Sequence, residues 1–405
     1  LINIAIMGYG TVGTGVVNVL EKNKELITER VGSDINIKYV LDLRDFPNTP
    51  VQDKIIHDFD VLLQDDEIKV VVEVMGGLEP AYTFVKKCLQ AGKHVVTSNK
   101  ALVAQYGADL FHIAKEKQVK FLFEASVGGG IPIIRPLVTS LSADEVEEIT
   151  GILNGTTNYM MTKMFYEGAN YADVLKQAQE NGYAEADPTA DVQGHDACRK
   201  IAILSSVVTG KRVDFEEIHT EGITKISAED MQYAKTKNMT IKLLATAKKN
   251  AFGIKAIVAP FMLQATHPLY SVNDVFNAVF VRGNMLGEAM FYGQGAGELP
   301  TASAVVADIV EAAFGADKSM LASWTTEKLA LRDNGEVRRT FFVRMKGKRQ
   351  ELESIVKETF RVSEFLSVEG LDEEFAFFTD RMTEEEYATK AKEHSDILSC
   401  IRVEM

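Results

Sequence analysis

Two lysines and a run of carboxylates hold most of the chemistry that this sequence can do. The segment Gly182-Tyr-Ala-Glu185-Ala-Asp187-Pro-Thr-Ala-Asp191-Val-Gln-Gly-His-Asp196-Ala-Cys-Arg-Lys200 sets four carboxylates ahead of a lysine. Asp196 and Lys200 are four residues apart, so a helix there puts both on one face. On an exposed helix such a pair is a weak surface ion pair. The apolar run Ile201-Ala-Ile-Leu204 that follows predicts instead that the helix starts beside a core. Carboxylates gathered at a helix start also suit the helix dipole, so a functional and a structural reading both stand here. His195 and Cys198 lack metal-ligand spacing and read as structural. The second lysine, Lys100, ends Thr97-Ser-Asn-Lys100, just after a short apolar strand. Loops at the carboxyl ends of such strands line cofactor crevices. A lysine at a helix start is otherwise poorly placed against the dipole.

The sequence also offers a place for a cofactor. Gly8-Tyr-Gly10-Thr11-Val12-Gly13 is G-x-G-x-x-G, and it follows a strand pattern and opens a helix pattern. In that context the glycines let the backbone approach a pyrophosphate, and the helix N-terminus faces its charge. The end of the second strand chooses between dinucleotides: an acid binds a ribose 2′-hydroxyl, an arginine accommodates a 2′-phosphate. Asp42, Arg44 and Asp45 stand there together. Arg44 at the tip tilts the reading to NADP and leaves NAD open. Met75-Gly76-Gly77 ends another strand and can cover the nicotinamide side. Glu124-Ala-Ser-Val127-Gly-Gly129-Gly-Ile131-Pro132 has three successive glycines, which suit carbonyls turned around a cation or a hinge between domains.

These residues need a scaffold. At roughly 150 residues per domain, 405 residues make about two to three domains. The hydrophobic share of 46% fills real cores, which excludes a disordered chain. A net charge of −14 repels phosphate backbones and anionic lipid, so neither nucleic acid nor membrane is an expected partner. No apolar stretch is long enough to span a bilayer. The first residues run straight into a strand pattern, so no signal peptide is expected. Three well-separated cysteines read as free thiols of a reducing compartment, so the expected location is cytoplasmic.

Strand patterns at Ile2–Met7, Ile35–Leu43, Val70–Met75, His94–Thr97 and Phe121–Glu124 alternate with helices. They predict an α/β Rossmann-type nucleotide-binding domain over 1–134. Mostly helices are expected from Pro132 to Val208, then strands from Thr240 to Gly293. That makes an α+β catalytic and dimerisation domain over 135–296. An apolar helix opening near Pro300 is read as a return to the first domain, near 297–325. A polar stretch at 332–339, with Asn334-Gly335 as a turn, marks a boundary. Beyond it a β-α-β-β-α-β order predicts a ferredoxin-like module over 338–405.

Taken together, these motifs resemble homoserine dehydrogenase. The resemblance rests on Gly8–Gly13, Asn99-Lys100, Glu124–Pro132, Gly151-Ile-Leu-Asn-Gly-Thr-Thr-Asn158, Gly293-Gln-Gly-Ala-Gly297, and above all the register of Glu185 to Lys200. With no kinase pattern ahead of the glycine motif, it is the monofunctional form that is resembled. The resemblance implies NAD(P)-dependent interconversion of L-aspartate 4-semialdehyde and L-homoserine, in the biosynthesis of threonine, methionine and isoleucine. It implies that Lys200 is the catalytic acid/base and that Lys100 stands beside substrate and nicotinamide. Glu185, Asp191, Asp196 and Thr156 are implied to bind substrate. Gly8, Gly10, Thr11, Val12, Gly13, Arg44, Gly76, Thr97, Lys100, Gly182 and Gly297 are implied to bind cofactor. Glu124, Val127, Gly129 and Ile131 are implied to hold a sodium ion, mainly through carbonyls. Assembly as a homodimer or homotetramer is implied as well.

The C-terminal module resembles an ACT domain, which the family associates with feedback by threonine. It has Met345-Lys-Gly-Lys-Arg349 where Asp-x-Pro-Gly is common. An effector site and a pure assembly surface are therefore both open readings. A related dehydrogenase for another amino-acid aldehyde would keep both lysines and change the carboxylates. A non-enzymatic sensor of nucleotide and amino acid is the remaining alternative. It would not need Glu185, Asp191, Asp196 and Lys200 together, and all four are present.

Overall fold

A computed structural model describes residues 1–250, 253–314, 338–367 and 372–403. Its backbone divides into two compact units, Leu1–Leu321 and Ala322–Met405. Apolar strands buried on both faces start the first unit. β1 (Ile2–Met7) leads to α1 (Thr11–Lys22), α2 (Lys24–Val31), β2 (Ile35–Leu41), β3 (Ile55–Ile56) and α3 (Phe59–Gln64). β4 (Ile68–Glu73), α4 (Ala81–Gln90), β5 (His94–Thr97), α5 (Lys100–Glu116) and β6 (Phe121–Leu122) follow. The six strands pair in parallel in the order β3-β2-β1-β4-β5-β6. Val70, Val71 and Val72 are wholly buried, as they must be between two helical layers. Chain direction across the sheet reverses between β1 and β4, so the crevice beyond the strands' carboxyl ends opens there.

The chain then builds a second sheet. β7 (Val146–Ile152) precedes α6 (Gly155–Glu167), α7 (Tyr171–Glu180), α8 (Thr189–Val192), α9 (His195–Thr209), β8 (His219–Thr220) and α10 (Ala228–Thr236). Four long strands complete it: β9 (Met239–Asn250), β10 (Gly253–Gln264), β11 (Phe276–Gly283) and β12 (Gly287–Gln294). The order is β12-β11-β7-β9-β10-β8. The expectation of mostly helix between Pro132 and Val208 thus missed a central strand. Glu147-Glu148 breaks the apolar pattern of β7. In the sheet, buried Glu148 is neutralised from both sides, by Lys248 at 2.9 Å and Arg282 at 3.3 Å. Those partners are its cross-strand neighbours on β9 and β11 and cannot be read locally.

On this sheet a second lysine is fully buried. Lys242 donates to the carbonyl of Val272 at 2.6 Å, to Asn273 Oδ1 at 2.9 Å and to Asn158 Oδ1 at 3.1 Å. It pins the 265–275 loop to β9 and α6. Burial pulls its pKa down to about 8.

α11 (Glu298–Ala313) packs against the nucleotide-binding part. Its Ala302, Val305, Val306 and Ile309 share one core with Val16, Val17 and Leu20 of α1. Asp308 ties this helix to the stretch after β6: it accepts the Glu124 N–H at 2.8 Å and pairs with Arg135 at 2.5 Å. The continuation expected to 325 and the Asn334-Gly335 turn lie outside the described residues.

In the second unit, β13 (Arg338–Lys346), α12 (Arg349–Phe360), β14 (Val362–Leu366), β15 (Glu374–Thr379), β16 (Met382–Thr383), α13 (Glu384–Ala391) and β17 (Ile397–Val403) follow one another. β13 is central and antiparallel to both β15 and β17, with β14 beyond β15. That is the expected ferredoxin-like order, with its core on Phe341, Val343, Val356, Phe360 and Phe377. The strand pattern of the sequence runs on from Val362 to Val368, and that last residue lies outside the described residues. Among the described residues no helix is long and apolar enough to cross a membrane.

Candidate active site

The glycine motif forms the turn from β1 into α1. Gly8 has φ 101°, and its N–H donates to the Leu41 carbonyl at 2.8 Å. A Cβ on Gly13 would stand 2.2 Å from the Gly8 carbonyl oxygen, so only glycine fits. Gly10 caps α1 without a side-chain hydrogen bond. The first amides of the helix, at Thr11, Val12 and Gly13, therefore have no intrahelical partner and suit an anion. Asp42 braces this turn. Its Oδ2 accepts the Tyr9 N–H at 2.9 Å, and its Oδ1 accepts Arg44 N at 3.0 Å and Nε at 3.1 Å. Burial would raise the Asp42 pKa, but Arg44 and the two amides outweigh it and the pKa is lowered. The Arg44 guanidinium lies 4.9 Å from the Phe46 ring. Asp42 and Arg44 thus form one ion pair at the end of β2.

Beneath the crevice, β4 ends in Glu73, which is wholly buried. Its Oε1 accepts the N–H groups of Met75 at 2.9 Å and Gly76 at 3.2 Å, and its Oε2 accepts the Thr97 hydroxyl at 2.5 Å. Thr97 Oγ1 in turn accepts the Asn99 N–H at 2.9 Å. The Asn99 amide donates to the Gly77 carbonyl at 2.6 Å, and its Oδ1 caps α5 by accepting Leu102 N–H at 3.1 Å. Burial raises the Glu73 pKa, against the pull of these donors. The Thr97 side chain, expected at the cofactor, is spent on Glu73.

The two lysines meet on one carboxylate. Helix α9 packs between the second sheet and α5, which brings Lys200 toward the first residue of α5, Lys100. Lys200 Nζ lies 2.7 Å from Asp196 Oδ2 and 2.7 Å from the Leu153 carbonyl. Lys100 Nζ lies 2.5 Å from Asp196 Oδ1. The Asn154 amide bridges Asp191 at 2.7 Å and Asp196 at 3.0 Å, while its Oδ1 caps α6 on Thr157 N–H at 2.9 Å. Asp196 and Lys200 are both buried; the Lys100 side chain is 44% exposed. Burial lowers the Lys200 pKa and Lys100 lowers it further, against the opposing pull of Asp196. Burial alone would raise the Asp196 pKa, but the ammonium groups of Lys200 and Lys100 hold it well below the ordinary range. Asp191 is raised, first by burial and then by Asp196, although the Asn154 hydrogen bond opposes this. A lysine whose pKa is lowered, beside a second cation, can exchange a proton with an oxygen and stabilise negative charge on it.

The other expected residues are less closely joined. Glu185 sits on an exposed loop, and its carboxylate makes no hydrogen bond or ion pair to the described residues. The Thr156 hydroxyl donates to the Tyr183 carbonyl at 2.5 Å and so anchors that loop, which starts at Gly182 (φ 74°). Gly76 has φ 78°, and Gly297 caps α11. Glu124 spends its carboxylate on the N–H groups of Ile133, Ile134 and Arg135, at 2.6, 2.8 and 2.8 Å. The carbonyls of Val127, Gly129 and Ile131 accept no hydrogen bond from the described backbone. Among the described residues no cluster of His, Cys, Asp and Glu is arranged to hold a metal. Sequence reasoning did not single out Glu73, Asn99 or Asn154. Asn154 and Asn99 were legible as helix caps within quoted motifs; Glu73 looked only like a polar interruption of an apolar strand.

Residues 8–124 match the family profile "Homoserine dehydrogenase, NAD binding domain", and residues 132–310 match "Homoserine dehydrogenase". The homoserine dehydrogenase of Bacillus subtilis is 43% identical over 316 residues, covering 76% of this chain and 72% of that protein. The crystal structure of a homoserine dehydrogenase from Thiobacillus denitrificans aligns with a TM-score of 0.74 and 34% identity, over 100% of this chain and 98% of that one. A hyperthermophilic archaeal homoserine dehydrogenase in complex with NADPH aligns with a TM-score of 0.66 and 30% identity, over 77% of this chain and 97% of that one.

Proposed function

The chain belongs to the homoserine dehydrogenase family, and from that premise we propose how its residues divide the reaction. It is an NAD(P)-dependent oxidoreductase of amino-acid biosynthesis acting on a small-molecule substrate. The observation that carries the assignment of roles is the buried Asp196 carboxylate, with Lys200 Nζ on one oxygen and Lys100 Nζ on the other.

A nicotinamide cofactor bound at the glycine turn would supply the hydride exchange with the substrate carbon. Lys200 gives a proton to the oxygen as aldehyde becomes alcohol, and takes it back in the reverse direction. Oxidation needs the neutral amine, which burial and the neighbouring Lys100 favour. Reduction needs the ammonium, which Asp196 keeps within reach. Asp196 fixes both lysines by charge and is itself held by Asn154. Lys100 faces substrate and nicotinamide together. Glu185, with its carboxylate unengaged, is the counter-charge for the substrate ammonium. Asp191 and Thr156 support it, Thr156 through the loop it anchors.

The open amides at Thr11, Val12 and Gly13 hold the pyrophosphate, with Gly76, Gly182 and Gly297 at the rim of the crevice. Arg44 binds a 2′-phosphate, which makes NADP the preferred cofactor; the neutralisation of Asp42 by Arg44 supports this. A sodium ion would be held by the carbonyls of Glu124, Val127, Gly129 and Ile131. The unengaged carbonyls of the last three fit a cation. Assembly as a homodimer or homotetramer is supported by edge strand β12, where Met290 and Tyr292 are exposed. The C-terminal module acts as an ACT-like unit, with threonine as the effector to test by titration of the full chain.

The central experiment follows reduced-nicotinamide absorbance with L-homoserine at alkaline pH, comparing NADP with NAD and sodium with potassium. Lys200→Ala should lose roughly 10²–10⁴-fold in kcat while still binding NADPH. Near-normal turnover in that variant would remove Lys200 from the mechanism.

A further inference from the structure

The geometry points to Glu73 as a positioning residue: through Thr97 and Asn99 it locks the Met75–Gly77 loop to the first turn of α5 and so holds Lys100 on Asp196. The inference rests on the acid/base reading of Lys200 given above. Glu73 is a buried carboxylate in the middle of a parallel sheet, at the carboxyl end of β4 and beside the point where strand order reverses. Two amides of the Met75-Gly76 turn and the Thr97 hydroxyl donate to it, the Asn99 side chain also bears on it, and no cation faces it among the described residues. A carboxylate is the group that can accept from all three at once.

The hydrogen bonds close into a ring. Glu73 Oε2 accepts from Thr97, Thr97 Oγ1 accepts from Asn99 N–H, the Asn99 amide donates to Gly77, and the Gly77 turn comes back to Glu73. Lys100 directly follows Asn99, whose Oδ1 caps α5. The ring therefore sets where α5 begins, and with it the Lys100 ammonium. Replacing Glu73 by Gln turns one acceptor into a donor. If that amide faces Thr97, the hydroxyl proton loses its acceptor; if it faces the turn, it meets two N–H groups. Either way one strut fails in a buried site, where a displacement of about 1 Å lowers turnover by roughly 10²-fold.

A loosened Lys100 has a second consequence. The groups facing Lys200 are Asp196 on its own helix, Lys100 from α5, Asp191 from α8, and the Leu153 carbonyl at the end of β7. Of these charges only Lys100 is a cation. Moving it away makes the neutral Lys200 amine harder to form, so the pH limb of homoserine oxidation moves to higher pH.

The test measures Glu73→Gln, Thr97→Val and Thr97→Ser in the full chain, by the pH profile of homoserine oxidation, NADPH fluorescence and thermal unfolding. Thr97→Val removes one hydroxyl at nearly constant volume and stands in if Glu73→Gln does not fold. The expected result is a loss of kcat of about tenfold or more in the first two. Their limb moves to higher pH, and Thr97→Ser recovers most of what Thr97→Val loses. An unmoved limb in folded Thr97→Val overturns the inference, as does a Thr97→Ser variant as defective as Thr97→Val. Lys200→Ala separates the two readings: residual full turnover there overturns both, whereas an inactive Lys200→Ala with an unmoved Thr97→Val limb overturns this one alone.

Discussion

Asp196→Asn removes one charge from the middle of the site and changes little in shape. Its side chain, 5% exposed, lies 2.7 Å from the Lys200 ammonium and 2.5 Å from that of Lys100. Removing one partner of a buried ion pair costs about 3–5 kcal/mol, because the remaining charge is left without an anion. Lys200, whose side chain is 10% exposed, bears nearly all of that penalty. Lys100 is 44% exposed and is screened by solvent, so it adds little. We therefore expect urea unfolding near pH 7 to show about 3 kcal/mol of destabilisation.

The pH dependence fixes the cause. The Asp196 pKa is depressed in the native state, so its contribution to wild-type stability exists above the ordinary aspartate range and fades as pH falls toward the native value. The Lys200 pKa is also lowered in the native state, and the folded protein then binds fewer protons than the unfolded chain between the two lysine values. Stability rises with pH across that interval. In Asp196→Asn the anion that opposed the lowering is gone, so the interval starts at lower pH and widens. The destabilisation should therefore shrink as pH rises through the interval in which Lys200 loses its proton in the folded state. A penalty of less than about 1 kcal/mol near pH 7, or one that does not shrink as pH rises toward the ordinary lysine range, would refute the reasoning from a buried, charge-paired Lys200.

Other perturbations read other parts of the molecule. Gly13→Ala sets a Cβ 2.2 Å from the Gly8 carbonyl and should abolish NADPH binding, measured by nicotinamide fluorescence, while the second unit stays folded. Arg44→Ala should weaken NADPH at least about tenfold and leave NADH within about twofold, since one charge-assisted phosphate contact is lost. Lys242→Met should lack a gain in stability with rising pH that the wild type has. The native Lys242 pKa of about 8 lies below the ordinary 10.5, so wild-type stability rises across that interval by up to about 3 kcal/mol relative to the variant; equal slopes would show that the buried amine does not titrate there.

Much of the architecture is legible before any coordinates. Valine-rich β4 and β5 sit between helical patterns, and burial on both faces demands a parallel sheet. The glycine motif marks where that sheet meets a phosphate, because steric exclusion at Gly13 is local. The pairing of Asp196 with Lys200 is legible too, since helical spacing alone sets it. Strand β7 was not legible, because Glu148 is tolerable there only with Lys248 and Arg282 beside it.

What the chain order could not decide was which cation shares Asp196 with Lys200. Lys100 lies a hundred residues earlier and arrives only because α5 packs against α9. Nor could it reveal that Glu73, Thr97 and Asn99 form one ring, since that follows from the parallel pairing of β4 with β5. Propensity, periodicity and steric exclusion act over a few residues and are written in the sequence. The charge of Asp196, the proton on Lys200 and the station of Lys100 depend on burial and on neighbours from distant strands and helices, which exist only once the layers have closed.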